Sequence, residues 1–157
     1  MRRANLQAGL FGGGMALLLD LIALLPYIGP VIAVPLYPLA FFLTGLIAVR
    51  ITPYSPSVGE AASGGAVAGL VAAVIGGLGA MFLYPIRLKI AGGPEDLVRL
   101  LSPDTVQSLV ERGINPVALM DIFGGVGLGI FCCSMQLTTG ILLAALGASL
   151  LAAYRRT

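Results

Sequence analysis

Four stretches of this sequence, residues 5–25, 31–51, 61–84 and 116–154, are apolar almost throughout. A helix needs about 20 apolar residues to cross a bilayer core about 30 Å thick. Each stretch reaches that length, and in lipid a helix satisfies all of its own backbone polar groups. Composition points the same way. A soluble domain keeps roughly a quarter of its residues charged, whereas this chain has 10% charged and 58% hydrophobic residues. Its mean hydropathy is +1.00. The expected fold is an all-α integral membrane protein, a four-transmembrane-helix bundle forming a single membrane domain over residues 1–157.

The boundaries follow from breakers. The first span ends at the cluster from Pro26 to Pro30. It follows Met1-Arg2-Arg3 but contains Asp20 and lacks a small-residue cleavage site, so it reads as a retained helix rather than a signal peptide. Pro35 and Pro38 crowd the start of the second span, which places its regular part from about Leu36. The third, 61–84, is the cleanest.

A polar segment then carries two short helices. Pro94 with Glu95 and Asp96 opens one, and Ser102-Pro103-Asp104 opens the next, which Gly113 stops. Leu97, Leu100 and Leu101 stripe the first, and Val106, Leu109 and Val110 the second, so both are expected to lie on the membrane surface. The outer amphipathic segment covers 94–123.

The last apolar region is too long for one span. Either a short interfacial helix, 116–123, turns at Gly124-Gly125 into a span over 129–154, or two short spans meet near Ser134 to Gly140. Charge and tyrosine favour the first. Four spans place Arg2, Arg3, Arg50, Arg155 and Arg156 on one side, the cytoplasmic side by the positive-inside rule. Tyr27, Tyr37, Tyr54, Tyr84 and Tyr154 then fall near span ends, where such rings anchor in headgroups. The expected location is a prokaryotic cytoplasmic membrane with both termini inside.

Small residues recur every four positions. Ala61, Gly65, Gly69, Ala73 and Gly77 share one helix face, as do Gly140, Ala144, Ala148 and Ala152, and Ala8, Gly12 and Ala16. Lipid tails are as apolar as leucine, so membrane helices associate by close backbone approach, which small residues permit. These faces pack the bundle or dock another subunit or a second copy.

Asp20 continues the Ala8–Gly12–Ala16 face and so points inward. An ionisable group inside a span is costly and marks an ion pair or a function. Arg87 and Lys89 follow the third span on the same side and are its expected partners. Gln136, with Thr138 and Thr139, puts polar groups at mid-span, bonding across helices or back to the i−4 carbonyl. Asp121 is expected to face solvent, and Cys132 and Cys133 to be free thiols, since neighbouring cysteines rarely reach disulfide geometry.

With no histidine, haem or copper ligation in the usual modes is not expected. Nor does the sequence carry a phosphate loop or a nucleophile elbow. No metal, no cofactor and no enzymatic activity are therefore expected. The few scattered bases offer no nucleic-acid surface. The expected function is that of a non-catalytic accessory or scaffold subunit, or a self-associating bundle, partnered by the lipid bilayer and another membrane chain. The alternative is a small transporter or channel using Asp20.

Overall fold

Helices run through several of the residues that break them in water. The computed structural model describes residues 2–25, 28–53, 56–90 and 92–155. In it α1 spans Arg2–Ile22, α2 Ile28–Ile51 and α3 Val58–Ile90. Three short helices follow: α4 (Pro94–Arg99), α5 (Pro103–Glu111) and α6 (Pro116–Asp121). A π-helical stretch (Ile122–Gly127) then leads into α7 (Leu128–Tyr154). No strand occurs among the described residues, and four helical segments are long and apolar enough to cross a membrane. Tyr27, Tyr54 and Arg156, used above for topology, lie outside the described residues.

Three expected boundaries are corrected. Helix α2 starts at Ile28 and passes through Pro35 and Pro38, rather than becoming regular near Leu36. A proline removes one N–H and crowds the i−4 carbonyl, but in lipid a non-helical segment would lose far more backbone pairing. Helix α3 continues through Pro85 to Ile90 instead of ending at Tyr84. Its 33 residues extend about 50 Å, so one end projects beyond a hydrocarbon core of about 30 Å.

The third correction concerns Gly124-Gly125, where the chain does not turn. The backbone stays right-handed, with φ/ψ of −64/−44° at Asp121 and −61/−48° at Gly127. It widens locally to a π-helix, the device by which a helix absorbs an extra residue. A Cβ on Gly124 would stand 2.6 Å from Leu97, and one on Gly125 3.6 Å from Pro85. Those glycines mark where α4 and the end of α3 press closely, not a corner.

Small residues set the packing. Around the molecule α1 packs on α3, α3 on α7, α7 on α2 and α2 on α1. A Cβ on Gly65 would lie 2.5 Å from the Ala144 carbonyl oxygen, and one on Gly69 2.7 Å from Ala144 Cβ. At Gly77 it would meet Cys133 Sγ at 2.5 Å. One residue earlier along α3, Gly64, Ala68, Ala72 and Gly76 form a second buried row. That row faces α1: a Cβ on Gly76 would be 2.7 Å from Ala16, and one on Gly9 2.9 Å from the Ala68 carbonyl. The sequence reading named the first row and passed over the second. On α1, Ala8 and Ala16 are fully buried, and Gly12 sits against Thr44 of α2. Helix α2 reaches α7 through Gly45, against the Ala144 carbonyl, and through Gly147, against the Phe42 carbonyl.

Local signals fix the ends. Ser57 and Glu60 form a reciprocal cap at the start of α3: the Glu60 N–H donates to Ser57 Oγ at 3.2 Å, and the Ser57 N–H donates to Glu60 Oε2 at 2.8 Å. Ser57→Ala is expected to lower stability by about 1 kcal/mol, measurable as an earlier midpoint in an SDS titration followed by circular dichroism. Ser102 accepts from the Thr105 N–H at 3.4 Å and Pro103 opens α5, while Gly113, at φ 74°, ends the turn after it. Arg155 Nη1 donates to the Val49 carbonyl at 3.3 Å, placing a cation on the carbonyl end of α2.

Candidate functional site

The close α2–α7 contacts, Gly45 on Ala144 and Gly147 on Phe42, lie toward one end of these helices, while α3 stays against α7 at the other, where a Cβ on Gly129 would be 3.1 Å from Met81 Cα. Toward that end Tyr37 and Phe41 continue the Gly45 face of α2. A cavity of about 340 Å³ opens there. Its polar lining comes from Asp20 (α1), Tyr37 (α2), Tyr84 and Arg87 (α3), and Cys132, Gln136 and Thr139 (α7).

Asp20 is 7% exposed. The Tyr37 hydroxyl donates to its Oδ1, while Oδ2 is buried without a partner. Gln136, 9% exposed, is the carboxylate's other polar neighbour, and its Oε1 is likewise buried and unpartnered. Both oxygens lie over glycines of α3. A Cβ on Gly79 would be 3.4 Å from Asp20 Oδ2, and one on Gly76 2.8 Å from Gln136 Oε1. Three residues apart, these two positions share a helix face. Two acceptors therefore share a bare stretch of α3, with the Gln136 amide as the carboxylate's neighbour besides Tyr37. Pro38, also on the wall, provides no N–H to the Val34 carbonyl.

The expected ion pair of Asp20 with Arg87 or Lys89 is replaced by a different partner. Among the described residues no ion pair involves Asp20, and the Tyr37 phenol reaches it from α2 instead. Arg87 lines the cavity but lies over the Tyr84 ring, 5.6 Å from its centroid, a cation–π distance. Lys89 is exposed and outside the cavity lining, and Asp121 is exposed. Thr138 and Thr139 donate to the Ser134 and Met135 carbonyls at 2.9 and 2.6 Å, the i−4 pattern expected for them. Their hydrogens are thus directed away from Asp20. Cys132 and Cys133 are free thiols, and Cys132 Sγ donates to the Tyr84 hydroxyl at 3.1 Å.

The sequence marks Asp20 and Gln136 separately as polar groups within spans, whereas Tyr37 and Tyr84, expected near span ends, line the cavity beside them. With α2 starting at Ile28, Tyr37 lies about 14 Å along that helix. The available signal was its four-residue spacing from Ala33 and Phe41, both buried. Among the described residues, no three His, Cys, Asp or Glu side chains converge. No family model, no curated protein and no solved structure matches this chain.

Proposed function

We propose that this chain is a small, non-catalytic carrier of the inner-cavity type, a four-helix transmembrane bundle that binds a hydrogen-bond-donating cation at Asp20. The carrying observation is that Asp20 and Gln136, both in the cavity wall, each hold a buried side-chain oxygen, Oδ2 and Oε1, without a donor. An unsatisfied buried acceptor costs about 1–3 kcal/mol, and a ligand bearing N–H groups recovers that cost. The remaining polar groups are engaged elsewhere, Tyr37 with Asp20, Cys132 with Tyr84, Arg87 over the Tyr84 ring and Thr139 with the Met135 carbonyl, which suits recognition better than bond-making chemistry. The backbone contacts at Gly45 and Gly65 close the opposite half. That favours a carrier that rearranges over an open channel.

The accessory or scaffold reading rested on small-residue faces free to dock another chain. Gly12, Gly65, Gly69 and Ala144 instead meet helices of this same chain, so those faces give that reading less support. With both termini cytoplasmic, the cavity sits toward the outer face, and α4–α6 lie at that surface with Leu100 and Val110 exposed for lipid.

Ethylammonium chloride should raise the melting temperature of the detergent-purified protein, following circular dichroism. A hundredfold excess over Kd stabilises by about 2.7 kcal/mol. Tetramethylammonium, of equal charge but without N–H donors, should not, and Asp20→Asn should abolish the response. No ethylammonium effect up to saturating salt would count decisively against the reading. Uptake of labelled ethylammonium into proteoliposomes then tests carriage itself.

A further inference from the structure

The cavity has a side door, and its position specifies more of the ligand than the two oxygens do. This inference rests on the cation-binding reading above. Four lining residues are exposed: Val34 and Pro38 on α2, Phe131 and Met135 on α7. Val34 is 65% exposed, Phe131 61% and Met135 52%. All four belong to adjacent helices. At Gly45 and Ala144 the backbones of α2 and α7 touch, so the pair separates from that contact toward Val34 and Phe131. Val34 and Pro38 lie about 9 to 15 Å along α2 from Ile28. In a spanning helix that depth faces acyl chains, not water.

We propose that the cavity takes a single-chain alkylammonium amphiphile that enters from the lipid between α2 and α7. Its ammonium head donates to Asp20 Oδ2 and Gln136 Oε1. Its chain leaves through the gap rimmed by Val34, Pro38, Phe131 and Met135 and remains in the bilayer. The volume of about 340 Å³ is at the small end of ligand pockets, which suits a single-chain amphiphile and excludes a two-chain lipid. A water-entering solute would instead require its polar opening at the helix ends.

The test is scintillation-proximity binding of tritiated dodecylamine and tritiated ethylamine to the protein in lipid nanodiscs, with the Asp20→Asn signal subtracted as partition into lipid. Dodecylammonium should bind at least tenfold more tightly than ethylammonium. Val34→Trp, at a lipid-facing position, should weaken dodecylammonium at least tenfold and leave ethylammonium within twofold. Met135→Trp provides the same test from the opposite rim. Equal affinities for the two amines, or door variants without effect, overturn the lipid route while the cation-binding reading stands. If neither amine binds, both proposals fall. Unlabelled dodecanol should compete at least tenfold less well than dodecylamine, and equal competition would overturn recognition of an ammonium head.

Discussion

Gly45→Val is expected to unfold this protein at a markedly lower SDS fraction than the unsubstituted chain, a loss of about 3 kcal/mol. Adding atoms to a packed interior costs about 1–3 kcal/mol when side chains can yield. Here the obstacle is backbone. A Cβ on Gly45 would overlap the Ala144 carbonyl oxygen, and α7 has nowhere to retreat, because a Cβ on Gly65 of α3 would stand 2.5 Å from the same oxygen. Helix α7 is thus wedged between two glycine faces, and moving it off α2 drives it into α3. The control is Gly14→Ala. That glycine has no atom within 4 Å of the position a Cβ would take, so the change should be neutral or stabilise by up to about 1 kcal/mol through helix propensity. Coincident midpoints for Gly45→Val and Gly14→Ala in SDS titrations would show that these helices do not pack this way.

Substitutions at the two ends of the Asp20–Tyr37 hydrogen bond are expected to act in opposite directions. Tyr37→Phe removes the donor to Oδ1 and leaves the buried carboxylate only its Gln136 neighbour, costing about 1–3 kcal/mol. Asp20→Asn keeps an oxygen for the Tyr37 hydroxyl and replaces the unpartnered Oδ2 with an amide that can donate toward Gln136 Oε1. Two unsatisfied acceptors disappear together, so the empty protein should gain about 1–3 kcal/mol while losing its cation response. Stability given up where function needs an unsatisfied group is a common trade. Thermal unfolding in detergent decides the matter: a destabilised Asp20→Asn would mean that Oδ2 already has a partner and that the cavity is not short of donors.

Much of this was legible in the residues because lipid leaves a chain few options. The four apolar runs, the ladder from Ala61 to Gly77 and the inward placement of Asp20 all follow from spacing along one helix. The helix start at Pro94 and the cap at Ser102 were equally local. Pro35, Pro38 and Pro85 misled the reading because their cost is set by the surroundings, and lipid makes leaving the helix more costly than a lost N–H. Gly124-Gly125 misled it for a related reason. A glycine needed for close approach and a glycine needed for a turn are the same residue in a sequence.

The sequence by itself determined that the chain is helical, how many segments can cross a membrane, and that the four-residue ladders of small residues turn inward. These are properties of single helices, governed by the 1.5 Å rise, the 3.6-residue turn and the thickness of lipid. Only the tertiary structure decided what those faces meet. It set Tyr37 of α2 rather than Arg87 beside Asp20, placed Gln136 next to the same carboxylate, and left two oxygens without donors over Gly76 and Gly79. Asp20 and Gln136 are separated by more than a hundred residues of chain, and no local rule relates them. The order in which four helices pack around one another places both at a single cavity.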